Sequence, residues 1–183
     1  MLNIPNTLTL LRIAAIPAIL IALDGGRFGL AFGLFVAAGV TDGLDGGIAR
    51  MTNSRTQLGA YLDPLADKGL VLALLIKLTL LGEVPGWALT IILTRDIVCL
   101  TGYLLLFFLT GAQIEIQPSL IGKLATVLQL LGVGGALLVL WTPGLRAAIP
   151  GPAIFAAAAT ATAIAGLQYV FRGLRWYQAR PAT

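Results

Sequence analysis

Four of the chain's eight acidic residues, Asp42, Asp45, Asp63 and Asp67, fall within 26 positions of a sequence that is otherwise mostly apolar. Each aspartate near the centre of a membrane helix opposes insertion by roughly 2.5–3.5 kcal/mol, so four together cost on the order of 10 kcal/mol unless something cationic neutralises them. Asp42 and Asp45 are three residues apart and Asp63 and Asp67 four apart, spacings that put each pair on one face of a helix. The chain has no histidine and one cysteine, Cys99, inside an apolar run. Side-chain metal ligands must therefore be oxygens, which points to a hard cation such as Mg²⁺ or Mn²⁺ and away from zinc or copper. Gly43, Gly46, Gly47 and Gly59 flank the carboxylates and let a ligand approach the backbone closely. Arg50 and Arg55 add positive charge beside them, and Arg50 can contact a phosphate in bidentate fashion. Four carboxylates around one or two divalent ions, with arginine alongside, suit a phosphorylated substrate and above all a diphosphate.

The elements that position these residues follow from composition. With 183 residues, 58% hydrophobic and 11% charged, and a mean hydropathy of +0.93, the chain reads as an integral membrane protein. Apolar stretches run from Leu8 to Leu23, Phe28 to Ile48, Leu58 to Leu81, Gly86 to Leu109, Leu120 to Trp141 and Pro150 to Phe171. They predict an all-α fold, a bundle of six transmembrane helices forming a single domain over residues 1–183. A turn over Ala49 to Leu58 makes helices two and three antiparallel neighbours, so the aspartate pairs face one another between them. Arg50, Arg55, Arg172, Arg175 and Arg180 mark the cytoplasmic side, where this site lies and where both termini are expected, since the opposite turns carry only Arg27 and Arg146 as basic residues. The start of the chain, polar at Asn3 and Asn6 and carrying Arg12 in its first apolar stretch, does not read as a cleavable signal. A net charge of +4 without aromatic interleaving is read as membrane orientation and anionic-lipid contact, with no case for nucleic acid.

The residues Asp42-x-x-Asp45-Gly46-x-x-Ala49-Arg50, then eight positions, then Gly59-x-x-x-Asp63-x-x-x-Asp67 resemble the full signature of the CDP-alcohol phosphatidyltransferase family. The resemblance implies that an acceptor hydroxyl attacks the β-phosphorus of a CDP-linked lipid, normally CDP-diacylglycerol, and CMP leaves. It further implies that Asp42, Asp45 and Asp63 hold two metal ions, and that Asp67 touches a metal and takes the acceptor's proton. Gly46, Ala49, Arg50, Thr56 and Gly59 would line the CDP pocket, and Pro5 and Asn6 would help to close over the nucleotide. Set against this, Arg50 and Arg55 can also be read as orientation charges only.

Arg95 and Asp96, a charged pair in the middle of helix four, must face the bundle interior or a wet cavity. They form either a structural ion pair or, with Arg95 joined by Lys123 at the start of helix five, a binding site for the acceptor. The opening Asn3-Ile4-Pro5-Asn6-Thr7-Leu8-Thr9 is similar to that of phosphatidylglycerophosphate synthases, which act on glycerol 3-phosphate. Arg95-Asp96, Pro118-Ser119 and Lys123-x-x-Thr126-x-x-Gln129 look more like the CMP-forming cardiolipin synthases, whose acceptor is phosphatidylglycerol, and that acceptor is the one expected. Other residues read as structural: Lys77 as a snorkelling side chain, Trp87, Trp141, Trp176 and Tyr177 as an aromatic belt, Cys99 as core, and Gly132, Gly134, Gly135 and the Ala156 to Ala159 run as packing contacts. An aromatic prenyltransferase would need two well-separated acidic motifs, and a divalent-cation transporter inverted repeats with broken helices. The sequence has neither. Similar enzymes are homodimers, which the small-residue faces permit, and a bacterial inner membrane is the expected location.

Overall fold

A computed structural model describes residues 4–52, 57–110 and 119–178, with the backbone alone for residues 4–9, 42–52, 57–65, 67, 106, 107, 109, 110, 176 and 177. Among these residues six α-helices follow one another: α1 (Ile4–Asp24), α2 (Phe28–Thr52), α3 (Gln57–Leu80), α4 (Gly86–Thr110), α5 (Leu120–Trp141) and α6 (Gly151–Gln178). A 3₁₀ turn, Pro143–Leu145, occupies the link between α5 and α6. Among the described residues there is no strand.

The helix ends are set by local chemistry. At the end of α1 the Gly26 amide donates to the Leu23 carbonyl and the Arg27 amide to the Ala22 carbonyl; at the end of α3 the Gly82 amide donates to Thr79 and the Glu83 amide to Leu78. Both are the paired 5→2 and 6→1 bonds of a Schellman cap, which needs a left-handed residue, and Gly26 and Gly82 supply it at φ 67° and 79°. Ser119 precedes α5, and its Oγ accepts the Gly122 amide at 3.1 Å as an N-cap. Helix α2 continues to Thr52 and α3 begins at Gln57, so Ala49, Arg50 and Leu58, expected in the turn, are helical. The apolar stretch marks where hydrophobicity ends, whereas the backbone hydrogen bonds run on through polar residues.

The chain forms two units, Met1–Glu83 with Val133–Pro150, and Val84–Gly132 with Gly151–Thr183. In the first, α1 packs against both α2 and α3 around Ile19, Leu74, Leu75 and Leu78. Trp141 lies over Phe32, ring centroids 5.9 Å apart, and against Gly29, where a Cβ would sit 2.8 Å from its Nε1. Lys77, expected to snorkel, pairs with the exposed Asp24, joining the ends of α3 and α1, and Arg146 pairs with Glu83 at 2.6 Å. In the second unit α4 packs on α6. Gly132 admits the Phe155 ring, which a Cβ would meet at 2.7 Å, and the Gln129 amide donates to the Thr162 hydroxyl at 2.9 Å.

Much of the buried core is alanine, including Ala22, Ala31, Ala66, Ala88, Ala158 and Ala159, while large apolar side chains such as Ile21, Leu80, Phe108 and Leu120 point outward. That is the pattern of helices that approach through small residues with lipid as the outer solvent. Among the described residues, three helices have stretches long and apolar enough to cross a bilayer: Gly86–Leu105 of α4, Leu120–Trp141 of α5 and Gly151–Arg175 of α6; the apolar part of α2, Phe28–Thr41, is shorter. The protein is an all-helical membrane protein.

Candidate active site

Asp42 and Asp45 lie on α2 and Asp63 and Asp67 on α3, both helices of the first unit and both packed on α1. Asp63 is the seventh residue of α3 and Asp67 the eleventh, in the same register stripe as the buried Leu70, Leu74 and Leu78 further along the helix. Gly46, Ala49 and Arg50 are carried by α2, Gly59 by α3, and Pro5 and Asn6 by the first turn of α1. The side chains of all these residues, and the whole of Arg55, Thr56 and Pro118, lie outside the described residues.

Among the described residues no group of three or more His, Cys, Asp or Glu side chains gathers where it could hold a metal ion. The acidic window has the donor set for one. Four carboxylates on two helices of one unit, with glycine beside them, fit a hard divalent cation in both ligand type and ligand number.

Arg95 belongs to the second unit. Its Nη1 donates to Asp96 Oδ1 at 2.7 Å, both side chains being about one-third exposed or less. Its aliphatic stem runs across Gly166 of α6, where a Cβ would lie 3.0 Å from Arg95 Cγ, and its Nη2 reaches Gly122 at the start of α5, 3.8 Å from a Cβ there. Two glycines thus make the trough in which the guanidinium lies, and neither was singled out by sequence spacing. Lys123, next to Gly122, is exposed. The ion pair read from the sequence is thus present, and the Arg95 side chain is 27% exposed. Gln129, by contrast, is engaged in α5–α6 packing through Thr162.

A second cation passed over in sequence reasoning is Arg12, which is 3% exposed in α1. Its signal was available as a lone basic residue inside an apolar helix.

The profile of the CDP-alcohol phosphatidyltransferases matches residues 2–169 of the chain. The chain belongs to this family. A probable phosphatidylglycerophosphate synthase of Mycobacterium tuberculosis is 38% identical over 179 residues, covering 94% of this chain and 82% of that protein. The CDP-diacylglycerol–glycerol-3-phosphate 3-phosphatidyltransferase of Bacillus subtilis is 37% identical over 153 residues, 75% of this chain and 78% of the relative. The human CMP-forming cardiolipin synthase is 34% identical over 150 residues, 74% of this chain and 50% of the relative. As a CDP-alcohol phosphatidyltransferase the protein is a membrane transferase of phospholipid biosynthesis, and the matched range contains all four aspartates of the window.

Proposed function

We propose that this CDP-alcohol phosphatidyltransferase moves the phosphatidyl group of CDP-diacylglycerol to the primary hydroxyl of glycerol 3-phosphate. The acceptor oxygen bonds to the β-phosphorus, the bond from that phosphorus to the bridging oxygen breaks, CMP leaves, and the hydroxyl proton passes to the Asp67 carboxylate. The observation that carries the choice of acceptor is the extent of the match: it spans 94% of this chain and 82% of a relative named phosphatidylglycerophosphate synthase. Phosphatidylglycerol, the acceptor anticipated from Arg95-Asp96, is the second reading, favoured by the likeness to a relative named cardiolipin synthase. One residue behind that expectation, Gln129, has a packing role in its bond to Thr162.

In this reading Asp42, Asp45, Asp63 and Asp67 hold two Mg²⁺ or Mn²⁺ ions, a role that suits their oxygen-only donor set. Such ions, when bound, neutralise diphosphate charge and improve CMP as a leaving group. Arg50 contacts the diphosphate, Gly46, Ala49, Thr56 and Gly59 leave room for the cytidine, and Pro5 and Asn6 cover it. Arg95, oriented by Asp96 and steadied between Gly122 and Gly166, meets the acceptor phosphate together with Lys123.

All six helices cross the membrane, with both termini and the site between α2 and α3 on the cytoplasmic face of a bacterial inner membrane, and the 183 residues act as one domain. A homodimer is compatible with the small-residue helix faces.

The acceptor is tested by offering radiolabelled glycerol 3-phosphate and phosphatidylglycerol separately with CDP-diacylglycerol. Label from glycerol 3-phosphate should enter the lipid phase. Cardiolipin formed from phosphatidylglycerol, with no lipid label from glycerol 3-phosphate, would replace the first reading by the second.

A further inference from the structure

Two contacts fix how α1 and α3 lie against each other. Ile16 of α1 meets Gly69 of α3, its Cδ1 3.7 Å from the position of a Cβ there, and Asp24 of α1 pairs with Lys77 of α3. In both contacts the α3 partner is 53 positions further along the chain, so the two helices run parallel in a constant register. Position 12 is then level with position 65, midway between Asp63 and Asp67 and about 3 Å along the axis from each. Arg12 shares the stripe of α1 formed by Ile16, Ile19 and Leu23, four and more residues on, and that stripe bears on α3 through Ile16.

Arg12 is 3% exposed, and a buried guanidinium requires anionic or polar compensation. The first unit contains six acidic residues: Asp24, Asp42, Asp45, Asp63, Asp67 and Glu83. Asp24 is paired with Lys77 and Glu83 with Arg146. The acidic residues that remain are the four of the window, and the constant register brings Arg12 level with the pair on α3.

We infer that Arg12 is a positioning residue for Asp63 and Asp67. Its guanidinium supplies the fixed positive charge that keeps two like-charged carboxylates side by side on α3 and holds their orientation. The inference rests on the reading of those aspartates as the active site only for its catalytic consequence; the coupling between Arg12 and α3 stands apart from it. Arg12 touches no reacting atom in this role, so its loss acts through the aspartates.

The test is a double-mutant cycle on thermal unfolding of the full-length protein in detergent with EDTA, using Arg12→Met, Asp63→Asn, Asp67→Asn and the two double variants. The midpoint shift caused by Arg12→Met should shrink to about half or less in at least one aspartate-substituted background, because the partner charge is already gone. If Arg12→Met cannot be purified alone, its recovery on adding Asp63→Asn or Asp67→Asn is the same result. Additive shifts in both backgrounds, failure of both double variants to fold, or coupling to Asp42→Asn alone would overturn it. A second readout separates positioning from packing: Arg12→Lys, which keeps the charge and loses the planar fork, should lower kcat about 10-fold with KM for CDP-diacylglycerol within about 2-fold. A raised KM with unchanged kcat would make Arg12 a lipid-substrate contact and end the proposal. Full CMP release by Asp63→Asn and Asp67→Asn would instead defeat the active-site reading while leaving the coupling measurement to stand or fall by itself.

Discussion

Aspartate with a reference pKa of ~3.9 is a weak base, and its proposed use at position 67 depends on the company it keeps. Like charges close by raise a carboxyl's proton affinity, while a bound divalent ion makes the acceptor hydroxyl easier to deprotonate. Asp67→Asn keeps the size of the side chain and removes the base, so CMP release should fall by about 10²- to 10⁴-fold while the protein still folds. An enzyme unchanged by that substitution would need another base. At Arg95 the expected effect differs in kind. Gly166→Val would drive side-chain atoms into the Arg95 stem, against which even a Cβ sits at 3.0 Å. Steady-state kinetics should show KM for the acceptor raised about 10-fold, with KM for CDP-diacylglycerol unchanged, as one charged hydrogen bond is misplaced. An acceptor KM that does not move would return Arg95 to a purely structural ion pair.

At the scale of the helix, hydropathy located the six elements well: the stretch from Leu120 to Trp141 coincides with α5, and the starts at Phe28 and Gly86 coincide with those of α2 and α4. It failed where helix and apolar segment are not the same thing. Helix α6 continues seven residues past Phe171 through Arg172 and Arg175, and α2 continues past Ile48 to Thr52, because backbone hydrogen bonds persist once the apolar run is over. The acidic spacing was fully legible, being a matter of counting along one chain. The glycine trough of Arg95 was not, because Gly122 and Gly166 belong to different helices and no periodicity links them. Arg12 was visible but was considered only for what it implied about a leader; its burial follows from how α1 packs within its unit, which spacing along the chain does not show. Close glycine packing gives a stability prediction. Gly132→Ala puts a methyl 2.7 Å from the Phe155 ring and should lower stability in detergent by about 1–3 kcal/mol, read from thermal unfolding. Gly82→Ala should cost about 1–2 kcal/mol, since φ of 79° is unfavourable for any residue with a Cβ.

For the molecule as a whole, the governing constraint is that an apolar bundle with 11% charged residues concentrates half of its acidic residues in one window. Selection for stability alone would not favour that, since each carboxylate opposes burial. The family assignment gives the reason: the chain is a transferase of lipid phosphate groups, and charge must meet charge at a membrane. The orientation proposed from arginine placement can be checked with single cysteines in a Cys99→Ala background. A cysteine at Gln178 should react with an impermeant reagent only from the cytoplasmic side, and one at Gly144 only from the other. The reverse pattern would invert the topology and put the site on the wrong side for cytoplasmic CDP-diacylglycerol.

The central claim is tested most directly by CMP release from purified protein given CDP-diacylglycerol, glycerol 3-phosphate and Mg²⁺ or Mn²⁺, compared with the same mixture containing excess EDTA and with Asp67→Asn. Release that requires the acceptor, stops on chelation and is lost in the variant is the predicted result. Release that persists in EDTA, or with Asp67 replaced, would contradict the account of a metal-dependent transfer carried by the four aspartates.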